Sequence, residues 1–296
     1  MAYTITTDIS RMILAGQKEI FLKNYDQFPI EYTMFTTPKT AMKKTETYDS
    51  MGNLKSAEEK PEGDAITYGK VEQAYQTSIT NKTWANGFQH TLEAIKYDLY
   101  GVVNSAKAKE LSRTMRELEE TNAIRPWNEA FDTALADGVA LCSNSKPLFN
   151  IAGIFNDTLI TGALTPDNIK AAVQQFTLFK NHQNGQMKSV PNQIFTHAYN
   201  MITVEEILAS QKKAYEFSNT ENKLPMLKGV YSHYITNRSA WFIEDTTYEH
   251  VLMQWFMKTD FDFDEDKRST KNVYLNAVAI YQSGALPNIG IVGSSG

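Results

Sequence analysis

The chain has 296 residues, of which 42% are hydrophobic and 21% are charged, and its formal net charge is −5. This composition excludes an intrinsically disordered chain, and the length allows one large domain or two linked ones with a sizeable core. The acidic balance argues against a protein that grips nucleic acid tightly, because such proteins usually carry a basic field. It leaves open a protein that encloses nucleic acid.

The single cysteine, Cys142, excludes an intramolecular disulfide. It lies in the apolar run 139–142, where we expect a small buried side chain rather than a nucleophile. The first residues show no basic stretch followed by an apolar core, and no apolar run approaches the roughly 20 residues of a membrane helix. We therefore expect a protein that is made in the cytoplasm and does not enter a membrane.

The first 40 residues predict one helix and one extended segment. An amphipathic helix is predicted at 8–24, because Ile9, Ile13 and Ile20 fall on roughly one face. Residues 29–38 are rich in Tyr, Phe and Thr, which predicts extended chain.

The segment 39–80 predicts a long β-hairpin with a charged tip. Residues 43–48 are polar and β-prone, strand-like alternation returns at 66–71 and 74–79, and 56–64 has almost no apolar side chain. A two-stranded ribbon is marginally stable alone in water, so we expect the hairpin to rest on another surface. In a monomeric enzyme it would be a lid, and in an assembly it would be an arm that reaches a neighbour.

A long helix is predicted from 91 to about 121, with Pro126 as its stop. About 30 residues at 1.5 Å each span about 45 Å, which is long for a globular protein. The second half is rich in charged side chains, which include Arg113 and Arg116. This charged face is either solvated or a docking surface for another subunit, and the charges alone do not decide between the two.

The remaining elements follow from turn, cap and strand signals. The Asp-Gly pair at 137–138 predicts a tight turn before a short buried strand at 139–143. Thr165 is the predicted cap of a helix with Pro166 at its first position. The other predicted elements are a strand at 193–196, a helix at 197–210, strands at 229–236, 240–244, 251–257 and 273–281, and an acidic bend at 260–268.

No local motif indicates catalysis, a cofactor or a metal. The chain has no glycine-rich phosphate loop, no H-E-x-x-H and no cysteine pair. Alternating aspartates at 260–266 resemble half of a calcium loop but lack its glycine and closing glutamate. The histidines are scattered over separate elements, at His90, His182, His197, His233 and His250. We therefore predict no catalytic residue, no cofactor and no metal ligand.

The order of elements resembles the Hong Kong 97 fold of tailed-bacteriophage major capsid proteins, in the branch of the Mu-like major head subunits. The segments that carry the resemblance are 86–91 before the long helix, 137–143 with Pro147 and Leu148, 191–195, 206–210, Asn222, 240–245 and 281–284. The second of these is similar to the D-G-x-x-L-x-S segment of the family. Ser145, Lys146 and Pro147 stand where the family usually has His-Pro.

The resemblance implies an α+β fold with six segments. These are an N-terminal arm at 1–36, an extended loop at 37–80, a peripheral domain with the spine helix at 81–149, an axial domain at 150–266, a return strand of the peripheral domain at 267–285 and a tail at 286–296.

The resemblance also implies a function in a virion capsid. The chain would be a major head protein that self-assembles in the host cytoplasm into hexamers and pentamers of an icosahedral shell. The shell would enclose double-stranded DNA without sequence-specific binding. Portal and decoration proteins would be its partners. Because no long helical segment precedes residue 36, we expect either a separate scaffolding protein or a processed precursor, and Met1 argues against processing.

Charged residues supply the candidate contacts between subunits. Some phages of this fold cross-link subunits through a hairpin lysine, and the lysines available by composition are Lys43, Lys44, Lys55 and Lys60. No motif selects one of them, so a non-covalent shell is favoured. We expect the hairpin residues Glu58, Glu59 and Glu62 to pair with basic residues of an adjacent subunit, such as Arg113 or Arg116.

Two alternatives stay open. The first is the shell protein of a nanocompartment with the same fold, which would enclose a cargo enzyme instead of DNA. The second is a soluble α/β enzyme in which the 39–80 hairpin is a lid.

Overall fold

The structure is a computed structural model that describes residues 6–51, 57, 59–66, 68–69, 73–91, 93, 97, 102–149, 151–209, 224–265 and 272–296. Within these ranges, no helix has the length and apolarity that crossing a bilayer requires.

Helices and strands alternate irregularly along the chain. The helices are α1 (Thr6–Gln27), α2 (Val102–Asn128), α3 (Pro166–Phe176) and α4 (Met201–Ala209), with 3-10 turns at Tyr32–Met34 and Ala198–Asn200. The strands are β1 (Thr37–Thr40), β2 (Thr45–Met51), β3 (Gln73–Thr80), β4 (Lys82–His90), β5 (Lys146–Leu148), β6 (Ile151–Asn156), β7 (Gln193–His197), β8 (Lys228–Ser232), β9 (Trp241–Glu244), β10 (Val251–Glu265), β11 (Val273–Ala285) and β12 (Ile291–Ser294).

Two four-stranded sheets carry the fold. The first has the strand order β1-β10-β11-β4, and its pairs are antiparallel except for β1 with β10. The second has the order β12-β9-β7-β8, and its pairs are antiparallel except for β7 with β8. Two antiparallel ribbons, β2-β3 and β5-β6, stand beside these sheets.

Helix α2 contains a proline in its last turn, at Pro126, two residues before the helix ends at Asn128. A proline inside a helix has no N–H for the carbonyl four residues earlier, which here belongs to Asn122. The Ser283 hydroxyl of β11 donates to that carbonyl, so the freed acceptor is satisfied by the sheet on which the helix lies. The predicted stop at Pro126 was therefore wrong by two residues, because a tertiary contact replaces the missing hydrogen bond and the helix continues to Asn128.

Helix α1 packs on both α2 and β10. Phe21 is fully buried and stacks on Phe261 of β10, with the ring centroids 4.8 Å apart. This contact anchors the amphipathic face of α1 on the first sheet.

One aromatic cluster joins the two sheets. Trp127, near the end of α2, lies edge-on to Phe195 of β7 and to Phe242 of β9, with centroid distances of 5.0 Å in both cases. Phe35 of the N-terminal segment stacks on Phe195 at 4.7 Å and accepts a 3.1 Å hydrogen bond from Trp127 Nε1 through its carbonyl. All four residues belong to one core cluster that also includes residues of the first sheet.

Helix α3 covers the second sheet. Its buried residues Ile169, Ala172 and Phe176 pack in a second core cluster with strand residues that include Trp241 and Ile243. As predicted, the Thr165 side chain caps the helix by accepting a hydrogen bond from the Asn168 N–H, and Pro166 occupies the first helical position.

Most of the predicted elements are confirmed. The helix at 8–24 is α1, the strands at 43–48 and 74–79 are β2 and β3, and the strand at 193–196 is β7. The four strands after residue 229 are β8 to β11. The helix at 197–210 is present as α4, which starts at Met201 after a 3-10 turn; residue 210 lies outside the described residues.

Three predictions were wrong in the first half of the chain. Residues 29–38 contain a 3-10 turn before β1, where Thr36 N–H donates to the Tyr32 carbonyl. In the predicted strand 66–71, the described residues 66, 68 and 69 lie outside any strand. Residues 139–143 form no strand, because Cys142 N–H donates to the Ala130 carbonyl at the end of α2 instead of to a strand partner. The turn before them is real, with Gly138 at a φ of +82°.

The acidic segment is a continuous strand and not a bend. Residues 260–265 pair in register with β11, from Asp260 opposite Val278 to Glu265 opposite Val273. Alternate side chains of a strand point to opposite faces, so Phe261 is buried while Asp260, Asp262 and Asp264 are exposed. The carboxylates therefore add solvated charge to the strand without interrupting it.

Strand pairing assigns two strands differently from the predicted domain division. β10 falls in the predicted axial segment 150–266 but pairs in the first sheet, beside β11 and β4. β12 falls in the predicted tail 286–296 but pairs with β9 in the second sheet. The end of the chain thus returns to the second sheet after leaving the first.

Truncation of the shared aromatic cluster tests its role. We expect Phe195→Ala to lower the free energy of unfolding by about 3–5 kcal/mol, because a fully buried phenyl ring is removed from a packed site. Phe256→Ala is the matched control, since Phe256 is 48% exposed and its loss should cost much less. Chemical denaturation measures both, and equal losses would contradict the joint role of the cluster.

Candidate assembly surface

The β2-β3 ribbon is anchored at its base on the first sheet. Tyr48 donates a 3.0 Å hydrogen bond to Gln254 Oε1 of β10. Ile79 is buried with Leu252 and lies over Gly284, where an added Cβ would come within 2.7 Å of Ile79 Cδ1. The missing side chain at Gly284 therefore lets the ribbon approach β11 closely.

Short hydrogen bonds fix the turn that leads into the ribbon. The Asn81 N–H donates to the Lys44 carbonyl at 2.8 Å, and its side-chain amide donates to the Lys43 carbonyl at 3.0 Å. The Glu46 carboxylate accepts from the Met42 and Lys43 N–H groups, and these bonds lower the pKa of Glu46. The side chains of Lys43 and Lys44 remain exposed.

The tip of the ribbon is exposed wherever the structure describes it. Residues 57 and 59–66 are all exposed, and they include Glu59, Lys60 and Glu62. Lys55 and Glu58, the other two candidate residues of the hairpin, lie outside the described residues.

The ribbon also contacts two loop residues of the same chain, Phe149 and His182, through Tyr75 of β3. Tyr75 of β3 lies edge-on to the ring of Phe149 at 5.6 Å and to that of His182 at 6.0 Å. This small aromatic contact links the ribbon to the loops beside β5 and α3. A two-stranded hairpin is only marginally stable alone in water, so this packing against its own chain helps to stabilise it.

The charged face predicted for the long helix is divided between solvent and core. Lys107 pairs with Glu110, and Arg113 pairs with Glu117, at 2.7 Å in each case and with exposed side chains. These pairs lie three and four residues apart on one helix, where they stabilise it only weakly. Arg113 is thus on the surface, as the predicted contact requires.

Arg116 is not available to a neighbour, which corrects its place among the candidate contacts. Its side chain is 7% exposed, and Nη1 donates to Glu119 at 2.8 Å. The guanidinium lies 3.8 Å from the ring centroid of Tyr25 in α1 and donates to the Tyr25 carbonyl at 3.1 Å. The Glu119 carboxylate also accepts from the hydroxyls of Tyr25 and Thr259.

Glu120 holds the chain that follows α1. Its two carboxylate oxygens accept from the N–H groups of Glu31 and Tyr32, at 3.0 and 2.9 Å. Burial raises the pKa of Glu120 to about 7, although the two backbone hydrogen bonds act in the opposite direction. Glu31 in turn bonds His233 at 2.8 Å. Arg116, Glu119 and Glu120 together therefore fix the N-terminal segment to α2.

The cysteine is buried, and two of the histidines accept hydrogen bonds from nearby backbone N–H groups. Cys142 is 2% exposed, as predicted, and burial raises the pKa of its thiol to about 12. His182 Nδ1 accepts from the Phe149 N–H, and His197 Nδ1 accepts from the Tyr199 N–H. Within the described ranges, no group of three or more His, Cys, Asp or Glu residues could hold a metal ion.

Solved structures of capsids share this architecture. The chain is similar to the capsid protein of cyanophage P-SCSP1u, with a TM-score of 0.53 and 13% identity over 88% of this chain and 85% of that chain. It is also similar to the mature capsid protein of bacteriophage PhiM1, with a TM-score of 0.56 and 10% identity over 90% and 87%. The chain has the Hong Kong 97 fold.

A third similar structure is not described as a phage. The virus-like particle of Pyrococcus furiosus matches with a TM-score of 0.53 and 10% identity over 95% of this chain and 98% of that one. No family model and no curated protein sequence matches the chain. The likeness is therefore one of fold and not of sequence.

Sequence reasoning missed Glu119 and Glu120 as buried anchors. In the sequence they belong to a run with Arg113, Arg116 and Glu117 that reads as one solvated face. The available signal was the spacing of Arg116 and Glu119, which puts them on the same side of the helix as the apolar Met115 and Ala123.

Alanine variants of Arg113 and Arg116 test whether the charged residues of α2 are divided between solvent and core. We expect Arg116→Ala to lower the free energy of unfolding by about 3–5 kcal/mol, because it leaves the Glu119 carboxylate buried without its cation. Arg113→Ala removes only an exposed pair and should change stability far less. Urea denaturation of the two variants measures the difference, and a similar loss in both would contradict the buried anchor.

Proposed function

We propose that this chain is a major capsid protein that self-assembles into hexamers and pentamers of an icosahedral virion shell around double-stranded DNA. The observation that supports it best is the Hong Kong 97 fold, matched over 90% of this chain and 87% of the PhiM1 capsid chain. Coverage that is nearly complete in both directions means that the likeness extends over the whole subunit and is not confined to one segment. No catalytic role is assigned to any residue in this proposal.

The anchored ribbon supports the same function. Its base is packed on the first sheet, while the described tip residues are exposed and include four charged side chains, Glu59, Lys60, Glu62 and Asp64. An arm of this kind gains partner surface when it lies on a neighbouring subunit. Each subunit of a shell has several neighbours, so many modest contacts act together.

The electrostatic balance fits a container more than a DNA-binding protein. The net charge of −5 gives the chain no overall attraction for phosphate. A wall that bound DNA tightly would oppose packing and release. The proposed shell therefore encloses DNA without sequence-specific contacts.

Other parts of the proposal concern partners and relationships. We place the chain in the virion, assembled in the host cytoplasm, with a portal protein, a separate scaffolding protein and decoration proteins as partners. We also keep the Mu-like branch and the division into arm, extended loop, peripheral domain and axial domain. The observed strand pairing adds β10 to the peripheral sheet and β12 to the axial sheet.

A nanocompartment shell is the second candidate. The match to the Pyrococcus furiosus virus-like particle, over 95% of this chain and 98% of that chain, favours it. Both candidates predict closed shells, and they differ in the contents. Shells purified from the native source should hold double-stranded DNA in the first case and a cargo protein in the second.

Assembly itself is tested directly. We expect the purified chain, alone or with a scaffolding protein, to elute as capsomers or shells in size-exclusion chromatography and to show rings or shells in negative stain. A chain that stays monomeric or dimeric under all these conditions would contradict the proposal and favour an enzyme with a lid.

The ribbon glutamates give a residue-level prediction. We expect charge reversal of Glu58, Glu59 and Glu62 to lysine to reduce shell yield severalfold without changing the melting temperature of the subunit, because the carboxylates would face a basic neighbour. Arg113→Glu in the same chain should restore part of the yield. Light scattering measures assembly, and Asp132→Lys, at another exposed position, is the control. Unchanged yield in the triple variant would rule out the proposed pairing.

A further inference from the structure

A polar cavity of about 200 Å³ lies where the N-terminal segment passes the end of the second sheet. Its wall includes Thr33, Thr36, Thr37, Thr246, Glu244 and His250. The predicted contacts between subunits do not involve this cavity. It stands between the 3-10 turn that Glu120 fixes and the first residue of β10.

Glu244 is a buried carboxylate on the wall of this cavity. The residue is 5% exposed, and its Oε1 accepts a 2.7 Å hydrogen bond from Gln193 Nε2. The same Gln193 nitrogen donates to the Met34 carbonyl at 2.9 Å. In the part of the chain that the structure describes, no cation pairs with Glu244, and burial raises the pKa of its carboxyl to about 8.

His250 is a second buried polar group on the same wall. The residue is 3% exposed, and neither ring nitrogen has a hydrogen-bond partner of good geometry among the described residues. Burial lowers the pKa of the ring to about 4, although the nearby backbone of Asp245 and Gly290 favours the protonated form. The ring is therefore neutral at pH 7, and a neutral imidazole has one nitrogen that accepts a hydrogen bond.

The buried lysine of the described chain, Lys146, is paired elsewhere and does not neutralise Glu244. Lys146 pairs with Asp137 at 3.4 Å and donates to the Leu141 carbonyl at 3.2 Å. The cavity thus presents a carboxyl group and an imidazole with no cation beside them, and burial makes the ionisation of Glu244 costly while the cavity is empty. Such groups are costly to bury unless a cation or a set of hydrogen-bond donors joins them.

The side chains that line the cavity favour some classes of ligand over others. An anion would be repelled by Glu244, and an apolar group would leave it without a counter-charge. A divalent metal would find only two good ligands, Glu244 and His250, which is fewer than protein metal sites use. An ammonium group has a positive charge and three N–H donors, which matches one carboxylate, one imidazole nitrogen and the oxygens of the threonines.

We propose that this cavity binds an alkylammonium group, with the Glu244 carboxylate as counter-ion and His250 as a hydrogen-bond acceptor. Two sources share this chemistry: a free amine or polyamine, and the lysine side chain of a second copy of the chain. The lysine source rests on the proposed shell function. The affinity for a free amine does not, so the two parts fail separately.

Melting of the purified full-length chain tests the site. We expect propylammonium chloride to raise the melting temperature by about 2–4 °C above the effect of tetramethylammonium chloride at the same concentration, because the latter has no N–H donor. The difference should grow from pH 6 to pH 9. In the empty site Glu244 keeps its proton up to about pH 8, while in the unfolded chain it ionises above its ordinary pKa, so stability falls across this window. An ammonium group that pairs with the ionised carboxylate offsets this loss.

Two variants make the test specific. Glu244→Gln keeps an acceptor for Gln193 and should abolish the difference between the two salts. Glu249→Gln removes a nearby carboxylate whose side chain is 41% exposed and paired with Lys39, and it should keep the difference. Equal effects of the two salts on the wild-type chain, or an unchanged difference in Glu244→Gln, would overturn the proposal.

Carbodiimide coupling distinguishes the sources. The reagent joins a carboxyl to a neighbouring amine as an amide and is itself hydrated to a urea. An amide between Glu244 and a lysine of a second copy, found by mass spectrometry in shells but not in monomers, would identify the lysine. A propylamide at Glu244 in shells and monomers alike would identify the free amine. No amide at Glu244 in either sample would overturn the site.

Discussion

The packing of Trp127, at the end of the helix that lies on the first sheet, against the second sheet is the constraint on which the rest of the structure depends. The indole lies edge-on to Phe195 and Phe242 of the second sheet, while its N–H bonds the Phe35 carbonyl of the N-terminal segment. Helix α2 that carries it lies on β11 of the first sheet. The second sheet and the N-terminal segment meet at this ring, and the helix that carries it lies on the first sheet, so a shift of any of the three would disturb one packed core.

The same helix uses its charges for two different purposes. Arg116, Glu119 and Glu120 are buried and join α2 to the N-terminal segment through hydrogen bonds that water cannot replace. Arg113 and Glu117 are exposed and contribute little to the fold. A buried pair stabilises less than its Coulomb energy suggests, but it strongly disfavours any arrangement that separates its partners. It therefore fixes where the segment lies more than how stable the subunit is.

The sequence predicted local features well and tertiary ones poorly. The Thr165–Pro166 cap and the β2-β3 strands follow from residues that are close in the chain, and both are confirmed. For the division between Arg113 and Arg116 the chain offered only the spacing of Arg116 with the apolar positions of the helix, and the element that covers that side, α1, could not be predicted from it. Burial of Glu244 likewise depends on strands far apart in sequence. Local patterns do not contain that information.

The separation of buried from exposed charge bears on how a shell subunit can work. A subunit must fold before it meets its neighbours, so the groups that hold it together should be satisfied within one chain. Arg116 and Glu119 satisfy each other within one chain. The ribbon tip and Arg113 are exposed, so water can solvate their charges before the subunit meets a neighbour. Glu244 is the exception, since it is buried without a cation in the single described chain. Because burial keeps its carboxyl group protonated near neutral pH, the subunit folds without a buried charge there, and the proposed ammonium group would allow Glu244 to ionise after folding.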